Sequence, residues 1–188
     1  MKCKPLILII VSLSLLSLLF ASTPNSAPAN TKSQTLGANS YGNETLDTLS
    51  SVGLVKLSRT VITEHLSING SLIAQGANIG SIDIVGEANL TDTTIQNGGT
   101  ILGSLQTQRT KIDKPLIING QKALFSSSQL KGLTIRLMDG FKGKQIIELR
   151  HKSVVDGPIT FESGKGEVHL YSGSQVLGPV SGGKIVKK

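Results

Sequence analysis

Tryptophan is absent from the 188 residues, and aromatic side chains of all kinds make up only 3% of the chain. Each buried ring normally contributes about 150–250 Å² to a core, so one thick interior built around aromatic bulk is excluded. The core must instead be made of Ile, Leu, Val and Ala, which suits thin, regularly repeated layers. Cysteine occurs once, at Cys3, ahead of the first apolar run. A lipoprotein cysteine would follow that run, and Cys3 would leave with a signal segment. Neither a disulfide framework nor a cysteine-ligated zinc or iron site is then open to the protein. The three histidines, His65, His151 and His169, are scattered. Neither a G-x-S-x-G nucleophile motif nor a phosphate loop is present. No catalytic residue, metal or cofactor is expected, and the protein is read as a non-enzyme. Basic residues are plentiful but no aromatics alternate with them to stack on bases, which argues against nucleic acid as a partner.

What is present begins with "MKCKPLILIIVSLSLLSLLF", where Lys2 and Lys4 precede an apolar run from Leu6 to Phe20. This is the plan of a signal peptide. The run is shorter than the roughly 20 residues a helix needs to cross a bilayer, so no permanent span is expected unless the signal is left uncleaved. "APA" at residues 27–29 places small residues where an A-x-A cleavage site needs them, and cutting after Ala21 is the alternative. The expected division is a signal peptide over 1–29, a flexible leader rich in Ser, Thr, Asn, Pro and Ala over 30–51, and one folded domain over 52–188. Export to a periplasm, a cell surface or the medium follows.

The 21 glycines are accompanied by repetition. Ile68, Ile79, Leu90, Ile101 and Ile112 recur at a constant step of 11. Eleven residues also make about three helical turns, but the Gly, Asn, Thr and β-branched content decides for strands. Farther on, "ELRHKSVVDGPIT" from Glu148 returns as "HLYSGSQVLGPVS" from His169 at a step of 21. The repeat matches Leu149 with Leu170, Ser153 with Ser174, Val155 with Val176 and Gly157 with Gly178. A third copy, "ALFSSSQLKGLTI" from Ala123, lies 25 residues upstream of the first, with the extra residues in the loop from Met138 to Lys144. One such unit cannot bury its apolar face alone, whereas stacked units bury a continuous column. The expectation is an all-β, single-stranded parallel β-helix, a β-solenoid with coils of about 21–22 residues. Val155 should lie on Val176 and Leu149 on Leu170, about 4.8 Å apart. "SGGKIVKK" is expected to close the last coil, its lysines discouraging further strand pairing.

The candidate sites are few. Asp92 and Asp113 are 21 apart and would bring two carboxylates together if they stacked, the arrangement of a carbohydrate-active enzyme; turn aspartates are the plainer reading. Glu148 and His169 occupy equivalent places on successive coils. "IGSIDIVGEANL" at 79–90 reads as two hexads similar to those of left-handed β-helix acyltransferases. Asn43, Asn69 and Asn89 fit glycosylation acceptors or plain turns. Residues 109–152 hold ten Lys or Arg against three acids. Arg109, Lys111, Lys114, Lys131, Arg136, Lys142, Lys144, Arg150 and Lys152 are therefore candidate contacts for an acidic polymer or an anionic surface, against the plainer reading of a soluble basic exterior.

The stretches "VVDGPITFESGKGEVHL" and "VLGPVSGGKIV" resemble the recurring V-x-G-x-I/V steps of the polymer-forming bactofilin family, over roughly residues 66 to 186. The resemblance implies a right-handed β-helix, end-to-end joining into filaments and no catalytic residues. The signal peptide and the charged insertion near Met138 depart from that family. The reading is an exported, non-enzymatic β-solenoid scaffold or surface protein of the cell envelope, with self-association through coil ends as its polymer-forming variant.

Overall fold

The computed structural model describes residues 32 to 188 except Met138 and Ser172, and the signal segment lies outside the described residues. The described residues form strands and turns and no helix. Every strand pairing is parallel. The chain winds as a β-solenoid of about nine turns, as its Ile, Val and Thr content and repeated glycines predict.

The early coils are long bent strands, β1 (Lys32–Gly42), β2 (Thr45–Ser58), β3 (Val61–Gln75) and β4 (Asn78–Thr91). Coil five divides into β5 (Thr94–Ile95) and β6 (Gly99–Gln108). Coils six to nine each have three short strands. They are β7 (Lys111–Ile112), β8 (Leu116–Asn119) and β9 (Lys122–Ser126); then β10 (Gln129–Leu130), β11 (Leu133–Ile135) and β12 (Gln145–Arg150). The last two sets are β13 (Val154–Val155), β14 (Ile159–Phe161) and β15 (Gly166–Leu170), and β16 (Gln175–Val176), β17 (Val180–Ser181) and β18 (Gly183–Lys187). Each coil therefore has three faces, taken below in chain order.

Inward side chains stack like on like. The first face carries the column Leu46, Ile62, Ile79, Ile95, Ile112, Leu130, Val155 and Val176. The second carries Ile68, Ile84, Ile101, Ile118, Ile135 and Phe161. The third carries Leu57, Ala74, Leu90, Thr107, Phe125, Leu149 and Leu170. Burying each large aliphatic side chain contributes about 1.5–3 kcal/mol. The expected contacts of Val155 with Val176 and Leu149 with Leu170 are present.

Two expectations are corrected. Residues 32–51, read as a flexible leader, form the first coil and part of the second. Their Ser and Thr composition concealed inward Leu46 and Leu49, both fully buried. The coil period also differs. Along the first column the steps are 16, 17, 16, 17 and 18 residues, then 25 and 21. The 21-residue coil thus holds only near the C-terminal end, where the loops after β11 and β14 lengthen the path. The step of 11 is two faces out of three: Ile68 lies on the second face, Ile79 on the first, Leu90 on the third, and Ile101 is back on the second two coils later. The hexad reading of 79–90 fails for a related reason, since Val85, which would open the second hexad, is outward and half exposed.

The corners explain how so short a coil closes. Between the third and first faces, the corner of most coils has one residue at positive φ, among them Arg59, Asp92, Arg109 and Ser127, and the corner after β12 has two, His151 and Lys152. The next residue is a buried Thr or Ser in most coils: Thr60, Thr93, Thr110, Ser128, Ser153 and Ser174. These hydroxyls take up the backbone groups that the corner leaves unpaired. Ser153 Oγ accepts from the Ser128 N–H at 3.1 Å and donates to the Arg150 carbonyl at 2.7 Å, and the Ser153 N–H donates to Ser174 Oγ at 3.1 Å. Between the second and third faces, Gly53, Gly70, Gly86 and Gly103 stack in register with φ of 122° to 143°.

Candidate functional site

The nine basic residues singled out above surround the solenoid instead of forming one patch. Arg109, Arg150 and Lys152 lie at the corner between the third and first faces, Lys111 on the first face, and Lys131 just after it. Lys114 lies in the turn before the second face, and Arg136, Lys142 and Lys144 in the loop between β11 and β12. Most are neutralised. Arg109 grips Asp92 of the preceding coil with two hydrogen bonds, 2.6 Å to Oδ1 and 2.8 Å to Oδ2, and its hydrogen bonds hold the Asp92 carboxyl below the usual range. Lys111 pairs with Asp113 at 2.8 Å, and Lys131 with Asp156 at 2.6 Å. Among the described residues no ion pair is present for Lys114, Arg136, Lys142 or Lys152.

The third face carries the densest charge. Glu148 receives Lys122 Nζ at 2.7 Å and Arg150 Nη2 at 2.7 Å, and Arg150 covers the Tyr171 ring at 4.7 Å. Burial raises the Glu148 carboxyl, but the hydrogen bonds from Lys122 and Arg150 outweigh it and the net shift is downward. One coil on, Glu167 Oε1 receives Lys144 at 2.8 Å and Lys184 at 3.5 Å, while Oε2 meets His169 Nε2 at 3.0 Å. Glu148 and His169 do share a register position, yet each takes its ion partner elsewhere. Lys122, Lys184 and Glu167 were not legible as site residues, because only the lengths of the corner loops bring them together.

The bond from Lys144, then that from His169, holds the Glu167 carboxyl down at about 2. A carboxyl depressed in the folded state contributes stability above its unfolded value near 4.5, and that contribution disappears as pH falls towards about 2. A carbon-detected NMR titration should therefore place the Glu167 midpoint close to 2, and Lys144→Ala should move it upwards. A wild-type midpoint at the ordinary carboxyl value would show that the clamp does not form.

Asp92 and Asp113 do not stack. Asp92 sits at the corner against Arg109, and Asp113 lies beyond the first face, its N–H bound to the Ile95 carbonyl. The two carboxylates are thus not brought together as a glycosidase pair, and the plainer reading of Asp92 as a turn aspartate fits its place at the corner. A Ser–His–Asp arrangement that no spacing rule suggested lies on the second face: His65 Nδ1 is 2.9 Å from Ser81 Oγ, and Nε2 is 3.5 Å from Asp83 Oδ2. A nucleophile must aim its proton at the base. Ser81 instead donates to the Glu64 carbonyl at 3.0 Å, which makes the imidazole the donor and the serine oxygen the acceptor. The three side chains tie coils three and four together. No group of three or more metal-ligating side chains occurs among the described residues.

Fold and surface together define a parallel β-solenoid laced with inter-coil ion pairs. Neither the family models nor the curated proteins nor the solved structures compared with the chain give a match.

Proposed function

We propose that the protein is an exported, non-enzymatic β-solenoid scaffold of the cell envelope or its exterior, which acts as a single stiff rod and presents its side faces to partners. The observation that carries this reading is the residue at one register position of the last rung. β18 pairs with β15 so that Lys187 takes the place held by Leu170, Leu149 and Phe125 in the preceding coils. Stacking another coil there would remove the Lys187 ammonium from water beside Leu170, at a cost of several kcal/mol. A charge at an inward position of an outer strand is a known device against edge-to-edge growth. "SGGKIVKK" forms this rung itself, with lysines at 184 and 187 as its guard. The run from Leu6 to Phe20 behind Lys2 and Lys4 supports export.

A filament-forming reading also has an observation in its favour. Val176 and Val180 of the last coil are only partly covered and Ile185 remains 44% exposed, although all three continue buried columns. Analytical ultracentrifugation decides between the two. The scaffold reading expects the wild-type protein to sediment as a monomer, and Lys187→Leu, which completes the aliphatic column, to shift it to dimers and larger species with rising concentration. Wild-type filaments seen by electron microscopy would establish the polymer reading instead. Mass measurement of protein recovered from an exporting host should show loss of the residues up to Ala29 or Ala21.

A further inference from the structure

At the corner between the second and third faces of the last three coils, an open cleft of about 550 Å³ is lined by Lys144, Lys165, Lys184, Glu167 and four glycines. The lysines come from successive coils and converge on the middle one. Lys144 and Lys184 reach the same oxygen, Glu167 Oε1, which holds two ammonium groups within reach of a single anion. The other carboxylate oxygen is occupied by His169. Three ammonium groups against one carboxylate leave the lining with an excess of two positive charges. Glu167 offsets one of the three positive charges, and the remaining excess favours an added anion.

The floor is bare backbone. Gly166 and Gly183 lie over the buried Phe161 ring, and a Cβ on either would run into that ring. No aromatic side chain lines the cleft to stack on a base. At about 30 Å³ per water, the space holds on the order of eighteen waters, far more than an inorganic oxyanion fills. It lies within the roughly 300–1,000 Å³ range of small-ligand sites. From this we infer that the cleft binds a sugar unit bearing a doubly charged phosphate. The lysines take the phosphate, and the sugar ring lies over the glycine strip, where no side chain stands in its way. This goes beyond the scaffold reading and does not depend on it, since Lys144 and Lys165 belong to coils seven and eight.

Glucose 6-phosphate, glucose and inorganic phosphate serve as probes of the full chain, at low salt, by calorimetry and by amide NMR. Glucose 6-phosphate should bind at least tenfold more tightly than either of the others and shift the amides of Gly164, Gly166 and Gly183. Lys144→Ala and Lys184→Ala should each weaken it about tenfold, the size expected for one charge-assisted contact. Lys114→Ala, on the opposite side of the second face, should leave it unchanged. Thermal melts of the variants check that folding is intact. Equal binding of phosphate and glucose 6-phosphate would reveal an adventitious ion only, and equal weakening by Lys114→Ala would reveal diffuse charge attraction; either result, or no binding, overturns the inference.

Discussion

Replacing Phe125 with alanine is expected to destabilise the protein by about 3–5 kcal/mol, the range for a fully buried phenylalanine. For a chain of this length that corresponds to a fall in melting temperature of roughly 6–20 °C. Phe125 is completely buried and is the largest of the fully buried side chains. It stacks between Thr107 and Leu149, and in its own strand small Ala123 sits two residues away. That small residue leaves room for the ring, so shortening Phe125 leaves a void that no neighbour can fill. Each coil touches only the coils on either side, and the loss should open the middle of the stack while leaving the early coils closed. Circular dichroism melts measure the first effect, and hydrogen exchange measures the second. Protection that stays unchanged in β9 and β12 would show that the column is not held by this contact.

Substitution of Gly86 by alanine should be comparably damaging, on the order of 3 kcal/mol or more. At φ 135° an alanine is strained by its own backbone, and its Cβ would also run into the Gly70 carbonyl one coil away. Neither neighbour can retreat, because Gly70 pairs with Gly53 and Gly86 with Gly103 in an unbroken row. Gly140 separates the two contributions. Its φ of 74° is also left-handed, but a Cβ there meets nothing within 4 Å. Gly140→Ala should therefore cost only the backbone strain, about 1–2 kcal/mol. Equal melting temperatures for the two variants would show that the close approach of the coils at Gly86 is not what requires glycine.

The wrong coil length and the right fold came from the same residues. The apolar recurrence at 68, 79, 90, 101 and 112 is real, and it does mark a solenoid. Its step of 11 was ambiguous between half of a 22-residue coil and two faces of a coil of 16 or 17 residues. Inward Ile at each landing point fits both equally well. Only the pairing of Ile68 with Ile84, a register that leaves Val85 and Leu102 exposed, separates them. The later repeat at 21 misled in the same direction, because the longer loops between the second and third faces occur only in the last coils. Composition likewise concealed the first coil, since Ser and Thr fill outward strand positions as readily as they fill a linker.

Charge was legible as an amount and not as an arrangement. The ten bases between 109 and 152 are a fact of the sequence, yet folding spreads them around the solenoid and pairs six of them with acids, four of the six across coils. The cluster of Lys144, Lys165, Lys184 and Glu167 draws on residues inside and outside that stretch. The Ser81–His65–Asp83 contact depends on a coil length that no local pattern states.

By itself, the sequence determined the class of structure. Scarce aromatics, β-branched residues at regular intervals and glycine at the bends allow little except parallel strands stacked in thin layers, because that arrangement alone buries such side chains without a thick core. Tertiary structure decided the register, and with it every ion pair between coils. Those inter-coil pairs join residues 17 to 26 positions apart through loops of unequal length, and a change of one residue in a strand turns an inward side chain outward.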